Sequence, residues 1–500
     1  MRTRFMARIF TTAAFALVLV MSSFAMISPS YADETTMATG EGQVRIQGER
    51  VRYRTEAGDT VITNEDGQPI ASIFSTAYFR TDVRDGHTRP ITFVFNGGPG
   101  SSSVWLHLGL YGPKKIVVPS DAENPGAAPY DFRDNPHSLL DVSDLVFIDP
   151  VGTGFSRAVG EGRNSDFWGV QKDARVLAEF IRQFVTKHNR WNSPKYLSGE
   201  SYGTARVGAL LAELQHGWGS MTFNGVHLIS SIVDFQTTRV TEGNDMPYIM
   251  YLPTYAATAW YHDALPNRPD ELEPFLDEVR QFALEEYSVA LLQGSRISPE
   301  AHARVVEKLH QYTGLSTSYI EQTRLRIVPH RFFRELLRDR GQVVGRLDSR
   351  FIGIESDDAG ERPIADPSAY GIDGAYTAAI NYHLRNNLNV NRSDEYRILS
   401  GQVFAGWDWS LPRGQQQGFH NLAPHFAVTQ QRNKDFRIFI ANGYYDAATP
   451  FFATEHSFSN YGMDTDRVVM KYYESGHMMY IHHPSLEQLS QDLRAFYRGE

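Results

Sequence analysis

A serine that could act as a nucleophile lies in the segment Gly199-Glu200-Ser201-Tyr202-Gly203. The apolar pair Tyr196-Leu197 precedes this segment, and apolar residues at helical spacing follow it from Val207 onward. A serine on a tight strand-to-helix turn needs small residues on either side, because the backbone must double back, and the turn exposes its hydroxyl. The pattern therefore predicts that Ser201 is a nucleophile for acyl transfer.

A serine hydroxyl is a weak nucleophile until a base takes its proton, so a base and a group that orients it are expected elsewhere. Asp446 lies just after a strand predicted to end at Ala441, and His477 lies just after a strand predicted to end at Tyr473. The chain order serine, acid, histidine is that of the α/β-hydrolases. We predict Asp446 and His477 as the orienting acid and the base.

Acyl transfer also needs hydrogen-bond donors directed at the oxygen that becomes negative. The glycine-rich segment from Phe95 to Ser103 directly follows a predicted strand, and glycines there allow backbone N–H groups to face a ligand. An ordinary Gly-Pro turn would have the same composition, because such clusters often only reverse the chain. Both interpretations stay open from the residues alone.

The elements around these residues indicate an α/β fold. Residues 43–80 alternate apolar and polar side chains between glycines, which predicts antiparallel hairpins. Short, continuous apolar runs follow, as expected for strands buried on both faces of a mostly parallel sheet. These runs are Ile91 to Phe95, Leu145 to Ile148, Tyr196 to Leu197 and Val226 to Val233, with Phe436 to Ala441 and Arg467 to Tyr473 much later.

Helical patterns cover the sheet and fill the interval between its two halves. Apolar residues at helical spacing predict a helix within Phe167 to Trp191, with Asn164 or Ser165 as its cap. From about Asp234 to Pro424 the strand pattern disappears and helices are predicted, which indicates a mostly helical insertion. A final helix is predicted from Pro484 to Tyr497, since proline suits the first helical turn.

Composition excludes several classes of protein. The 500 residues are 42% apolar and 21% charged, which is typical of a globular chain with a large core. The net charge of -10 and the absence of long Lys/Arg runs argue against nucleic acid as a partner. The chain has no cysteine, so disulfides, thiolate metal sites and cysteine nucleophiles are excluded. No metal-ligand spacing is found, and no cofactor is expected.

The first 32 residues have the pattern of a signal peptide. Three arginines precede an apolar stretch from Ile9 to Ile27, and Ser30-Tyr31-Ala32 is a small-x-small cleavage site. We expect an exported protein, periplasmic or secreted, that has no stable membrane insertion after cleavage. An uncleaved membrane anchor is the alternative, since the apolar stretch is nearly long enough to span a bilayer. The sequence leaves the oligomeric state unknown.

Five segments, in this order along the chain, resemble the signature segments of the serine carboxypeptidases. The segments are Asn96 to Gly100, Ile148 to Ser156, Gly199 to Gly203, Asn442 to Asp446, and Gly476 to Met478. The resemblance covers roughly residues 90–235 and 430–500. It implies an α/β-hydrolase fold, with a central mixed, mostly parallel sheet flanked by helices, a helical cap insertion and N-terminal β-hairpins.

The same resemblance implies roles for further residues. Ser201, His477 and Asp446 match the family's nucleophile, base and orienting acid. The backbone N–H groups of Gly98 and Tyr202 match its oxyanion hole.

Four more residues are implied as the substrate-binding set. In the family an asparagine and a glutamate recognise the C-terminal carboxylate of the substrate, and here these are Asn96 and Glu200. Gly97 and Met478, in the same segments, are expected to contact the substrate.

Three positions depart from the family pattern. Val94 replaces a tryptophan, Ser101 replaces a cysteine, and Leu110 replaces a second glutamate that is normally paired with the one before the serine. Without a like-charged neighbour, Glu200 has one fewer reason to remain protonated. Recognition of the substrate carboxylate and a preference for acid conditions both depend on this point.

The sequence predicts a serine carboxypeptidase-like hydrolase that acts on peptides through an acyl-enzyme. The predicted organisation is a signal peptide (residues 1–32), a first part of the core (33–234), a cap insertion (235–424) and a second part of the core (425–500). An esterase, an acyltransferase or another serine peptidase on the same core is the main alternative. A non-catalytic binding protein is the other.

Overall fold

The computed structural model describes residues 37–215, 219–411 and 418–500. The predicted signal peptide therefore lies outside the described residues. In chain order, the strands are β1 (Ala38–Ile46), β2 (Glu49–Thr63), β3 (Pro69–Arg80), β4 (Ile91–Phe95), β5 (Lys114–Val117), β6 (Asp131–Asp134), β7 (Asp144–Ile148), β8 (Arg157–Ala158), β9 (Lys195–Ser201), β10 (Gly225–Ser231), β11 (Val343–Val344), β12 (Ile352–Gly353), β13 (Arg437–Gly443) and β14 (Val468–Tyr473).

The α-helices alternate with these strands in the two halves of the sheet and follow one another between them. They are α1 (Val104–Leu106), α2 (Val170–Lys187), α3 (Tyr202–Leu214), α4 (Met246–Tyr261), α5 (Leu272–Phe282), α6 (Ser288–Gln293), α7 (Pro299–Thr313), α8 (Thr317–Gln322), α9 (Pro329–Glu335), α10 (Pro367–Tyr370), α11 (Asp373–Tyr382), α12 (Gly401–Gly406), α13 (Ala423–Arg432), α14 (Phe451–Phe458) and α15 (His483–Arg498).

Within these described ranges, one sheet of ten strands organises the chain. Its order is β1-β2-β3-β7-β4-β9-β10-β13-β14, with the short β8 pairing with β3. The strands from β7 to β14 along this order are parallel, while β1, β2 and β3 pair antiparallel. The predicted mostly parallel sheet and N-terminal hairpins are confirmed. The β1–β2 turn has positive φ at Gln47 and Gly48, as a tight two-residue hairpin requires.

Helices cover both faces of the sheet. Helices α2 and α3 pack on one face, where Leu177, Phe180 and Ile181 are fully buried. Helix α15 covers the other face with Leu486, Leu489 and other apolar residues. Burial of each such side chain contributes roughly 1.5–3 kcal/mol to the free energy of unfolding. Apolar residues at helical spacing therefore indicate which face of a helix packs on the sheet.

The predicted cap of α2 is wrong. Asn164 and Ser165 lie in a separate 3-10 turn, Asn164–Asp166, and the residue that precedes the helix is Gly169. Asp166 accepts a hydrogen bond from the backbone N–H of Arg163, so its side chain closes the short turn instead. A polar residue near a helix start therefore indicated a turn here, not the helix cap.

The region between β10 and β13 is mostly helical, and it contains its own apolar core. Residues from α4, α5, α7 and α9 form this core, which also includes Tyr444, Tyr445 and Phe451 beyond β13. The exact division of the chain into core and cap at residues 235 and 424 stays a prediction. No helix among the residues described is both long and apolar enough to cross a membrane.

Candidate active site

The carboxyl ends of the parallel strands β4, β9, β13 and β14 lie along one edge of the sheet. Ser201 is the last residue of β9, and the segments that follow β4, β13 and β14 carry Asn96, Asp446 and His477 respectively. In open α/β sheets this edge is where ligands bind, since loops from neighbouring strands converge there. Strand order therefore gathers residues that are hundreds of positions apart in the chain.

Ser201 lies at the end of β9, immediately before α3 begins at Tyr202. Its backbone has φ 59° and ψ -130°, a conformation that L-residues rarely adopt. A side chain at Gly199 would overlap the backbone of Gly203, and one at Gly203 would lie 3.0 Å from the Phe95 carbonyl oxygen, so both positions of the motif favour glycine. The predicted strand–turn–helix context of Ser201 is confirmed, and its side chain is half-buried.

Asp446 and His477 are direct partners. The Asp446 Oδ2 atom lies 2.8 Å from His477 Nδ1, and both residues are buried. Nδ1–H therefore donates to the carboxylate, which leaves Nε2 as the free acceptor of the ring. Burial lowers the pKa of His477, but attraction to Asp446 and this hydrogen bond outweigh it, so the pKa lies above its usual value.

Further hydrogen bonds fix the orientation of the Asp446 carboxylate. Its Oδ1 accepts from the backbone N–H groups of Ala448 and Thr449, each at 2.9 Å. Its Oδ2 accepts from the Thr449 hydroxyl at 2.7 Å. Sequence reasoning missed Thr449, although an aspartate that receives N–H groups two and three residues later is a common turn signal.

The backbone on either side of His477 is also held. The His477 N–H donates to the Leu347 carbonyl at 2.6 Å, and its own carbonyl accepts from the Ser230 hydroxyl at 2.6 Å. Gly476 N–H donates to Asp348 Oδ2 at 3.2 Å. The segment between β11 and β12 thus fixes the backbone at His477 through two hydrogen bonds. No local sequence pattern indicated these contacts.

The predicted oxyanion donors lie against the turn at Ser201. Tyr202 is the first residue of α3, so its N–H has no acceptor within the helix. A side chain at Gly97 would lie 2.5 Å from the Tyr202 nitrogen, and Gly98 has φ 102°, which favours glycine. The glycine segment therefore approaches the turn closely at Gly97. A role for the N–H groups of Gly98 and Tyr202 in an oxyanion hole stays a prediction.

Glu200 is fully enclosed beside this turn. Burial raises its pKa to about 7; Asp446 adds to the rise, while His477 and the hydrogen bonds from its neighbours oppose it. The Tyr480 hydroxyl donates to Glu200 Oε2 at 2.6 Å. In this chain the partner of Glu200 is therefore a tyrosine. The position at which the family pattern has a second glutamate is occupied by Leu110, which is buried.

This burial bears on the expectation drawn from Leu110. The absence of a paired carboxylate there was expected to leave Glu200 with less reason to stay protonated. Burial is the largest cause of the raised pKa, so a neutral Glu200 remains accessible near neutral pH without that partner. Sequence reasoning missed Tyr480, because its contact with Glu200 joins residues 280 positions apart.

Asn96 is buried and is held by a buried ion pair. Its side-chain oxygen accepts from the Leu106 N–H at 3.1 Å, while its Nδ2 is buried and close enough to the Glu200 carboxylate to oppose the rise in the pKa of that group. Its backbone carbonyl accepts from Arg206, whose Nε lies 2.5 Å from Asp173 Oδ2. A buried amide donor beside Glu200 suits an acceptor on a bound ligand.

Aromatic side chains border the other side of Ser201. The Tyr202 ring makes edge contacts with Trp407 and Trp409, with centroids 5.2 and 5.9 Å apart. Phe235 contacts the same cluster. Both tryptophans therefore pack on the residue that follows Ser201. Met478 is buried in the core on the other face, and its contact with substrate stays a prediction.

Within the described part of the chain, no group of three or more histidine, aspartate or glutamate side chains is arranged to hold a metal ion.

Comparison with known proteins places this arrangement in a class. The sequence profile of the serine carboxypeptidase family matches residues 75–483, which is most of the chain. The crystal structure of Kex1(delta)p, a prohormone-processing carboxypeptidase from Saccharomyces cerevisiae, superposes with a TM-score of 0.56 at 14% identity. That match covers 89% of this chain and 91% of the yeast chain, and it shows a shared α/β-hydrolase fold.

This chain belongs to the serine carboxypeptidase family. Among curated relatives, serine carboxypeptidase-like 10 of Arabidopsis thaliana is 30% identical over 143 residues, which are 28% of this chain and 31% of the relative. Serine carboxypeptidase-like 25 of the same plant is 27% identical over 197 residues, 36% of this chain and 38% of the relative. The chain thus matches about a third of the length of these relatives.

Proposed function

We propose that this protein is a serine carboxypeptidase that releases C-terminal residues from peptides through an acyl-enzyme. The observation that carries the proposal is the buried Asp446–His477 hydrogen bond at the sheet edge that also holds Ser201 on a strained turn. Family membership supports a peptide as the substrate. No cofactor is needed for this reaction.

In the proposed reaction, the Ser201 hydroxyl oxygen bonds to the carbonyl carbon of the scissile peptide, and its proton passes to His477 Nε2. The carbonyl oxygen becomes negative and is stabilised by the N–H groups of Gly98 and Tyr202. The C–N bond then breaks as His477 returns the proton to the leaving amine. Water attacks the ester in the same way and regenerates Ser201. Asp446 holds the imidazole in the required tautomer throughout.

Specificity for the chain end is assigned to Asn96 and Glu200. A neutral Glu200 can donate a hydrogen bond to the substrate carboxylate, and the Asn96 amide beside it can donate a second. An ionised Glu200 would instead repel that carboxylate. Because the pKa of Glu200 is about 7, we expect binding of free-acid substrates to weaken above neutral pH.

The central test compares wild type with Ser201→Ala on a blocked dipeptide, its C-terminal amide and a simple ester. We expect fast cleavage of the acid, slow cleavage of the amide, and a loss of at least about 10³-fold in kcat for the variant. An organophosphonate probe should label wild type at Ser201 and leave the variant unlabelled. Wild-type turnover by the variant would refute the assignment, and equal cleavage of acid and amide would favour a different hydrolase.

We also propose that the protein is exported and loses residues 1–32. The support is the arginine-rich start, the apolar stretch and the small-x-small site before Asp33. Mass spectrometry of the protein purified from the producing cells should find an N-terminus near Asp33. An intact leader on the protein would count against cleavage and would favour a membrane anchor.

A further inference from the structure

A cavity rich in arginine opens beside the candidate catalytic acid. Its volume is about 590 Å³, and it is walled by the loop after β10, the first residues of α9 and two loops of the helical region. Among its described lining residues, four are arginines and one is a carboxylate. The charged and ionisable side chains are Arg239, His330, Arg331, Arg346, Glu361 and Arg362. This local charge contrasts with the net charge of -10 of the chain.

Most of this positive charge is not neutralised by protein carboxylates. Arg331 lies 3.1 Å from Glu361, in a pair that is substantially exposed. In the ranges that the structure describes, no carboxylate forms an ion pair with the side chains of Arg239, Arg346 or Arg362. Burial lowers the pKa of Arg239; Tyr251 opposes this shift, and the nearby Arg346 adds to it. Guanidinium groups held near one another in this way favour an anion between them.

Two sets of contacts connect this cavity to Ser201 and its partners. The Arg346 carbonyl accepts from the N–H of Ala447, the residue directly after Asp446. The Arg239 guanidinium lies 4.9 Å from the Trp409 ring centroid, and that ring contacts Tyr202. The cavity therefore lies beside the reacting groups and not at a remote surface.

The same contacts indicate which part of the substrate the cavity serves. Glu200, assigned to the substrate's terminal carboxylate, contacts Tyr480, which belongs to the apolar core on one face of the sheet. Tyr202 belongs to the core on the other face, where Trp409 packs on it and Arg239 lies over the Trp409 ring. On this basis, a peptide whose leaving residue sits at Glu200 would extend its acyl portion toward Tyr202 and the cavity.

We propose that this arginine cavity selects peptides with an acidic side chain in one of the two residues on the acyl side of the scissile bond. The inference rests on the proposed function and extends it to a substrate class. A carboxylate in the cavity would accept hydrogen bonds from Arg346 and Arg239 in place of water. Its negative charge would also offset the repulsion between the two cations. A lysine there would add to that repulsion, so selection against basic residues accompanies selection for acidic ones.

The test uses blocked peptides that differ only in one acyl-side residue, Glu, Gln or Lys, with the same leaving residue. We expect kcat/KM to be about ten-fold higher for Glu than for Gln, the effect of a hydrogen bond to a charged group of at least 1.5 kcal/mol, and lowest for Lys. In Arg239→Gln/Arg346→Gln protein, the Glu and Gln substrates should differ by less than about two-fold. Effects that the two substrates share, such as the loss of the Arg346 charge near His477, cancel in this ratio.

Arg304→Gln is the matched control, because it removes the same charge from an exposed position on α7. It should keep the wild-type ratio of Glu to Gln. High salt should reduce the ratio in wild type, as expected for partly exposed charges. Equal kcat/KM for Glu and Gln in wild type would overturn the proposal.

A second source of carboxylate is the free chain end itself. If the cavity held that group, the double variant would slow the Glu and Gln substrates equally and leave C-terminal amides unaffected, which would also overturn the proposal. If no peptide is cleaved, the proposed function fails instead, and calorimetric binding of the Glu and Gln peptides to Ser201→Ala protein tests the cavity. A preference for Glu there supports it, and equal affinity overturns it.

Discussion

Substitution of Tyr480 by phenylalanine isolates one interaction on the residue that is proposed to recognise the substrate carboxylate. The tyrosine hydroxyl donates to Glu200 Oε2 at 2.6 Å, and this bond stabilises the ionised form of the glutamate. Tyr480→Phe keeps the ring, which packs closely against Gly109, and removes only the donor. The ionised Glu200 then loses its partner, so its pKa should rise.

The size of that rise follows from the type of bond. A hydrogen bond to a charged group contributes about 1.5–3 kcal/mol, which corresponds to about one to two pKa units at 1.36 kcal/mol per unit. Starting from about 7, the pKa of Glu200 should reach about 8 to 9. Because neutral Glu200 is the form that binds the substrate carboxylate, the variant should stay active to higher pH than wild type.

The assay is the pH profile of kcat/KM for a blocked dipeptide acid, with the C-terminal amide of the same peptide as internal reference. In Tyr480→Phe, the alkaline limb of the profile for the acid should move to higher pH by about one to two pH units, while the profile for the amide stays unchanged. Tyr473→Phe is the matched control, since it removes a hydroxyl that donates to Asp492 at 2.9 Å. An unchanged alkaline limb in Tyr480→Phe would refute the role assigned to neutral Glu200.

Further substitutions test the rest of the site. Asp446→Asn should lower kcat by roughly 10⁴-fold with an unchanged fold, because the imidazole loses its required tautomer, and a single-turnover assay measures it. Thr449→Val should cost about ten-fold in kcat, since Asp446 keeps its two backbone donors, and a loss as large as that of Asp446→Asn would contradict this. Arg206→Met should lower the free energy of unfolding, measured in urea, by about 3–5 kcal/mol, because Asp173 is left as an unpaired buried charge. The Arg206→Met/Asp173→Leu double variant should recover much of this loss, and a double variant as unstable as the single one would show that the unpaired charge is not the cause. Glu200→Gln should stabilise the protein at pH 8 by an amount of the order of 3 kcal/mol, but not at pH 4. The reason is that the raised pKa of Glu200 lowers the stability of the wild type as pH rises from about 4.5 to about 7. Equal shifts of the melting temperature at both pH values would exclude this cause.

Local patterns in the sequence determined the elements that present the candidate site. The strand, turn and helix around Ser201, the N-terminal hairpins and the helix at Pro484 were all predicted from residue periodicity and turn chemistry. These features depend on residues within a few positions of one another, so their physical causes are contained in short segments. The wrong cap of α2 at Asn164 shows where such local prediction fails. Asn164 and Ser165 belong to a short 3-10 turn that precedes the helix, and their residue types do not distinguish the two.

Only the tertiary structure decided what surrounds each site residue. The order of parallel strands brings His477 to Asp446 and Tyr480 to Glu200, whereas packing of the region between β10 and β13 places Arg346 beside Ala447. Burial of Glu200, which sets its pKa, depends on side chains from several distant segments. Sequence position located Asp446 and His477 after successive strands but gave no distance between side chains, since the free energy of burial and of charge pairing depends on distance in space and not along the chain.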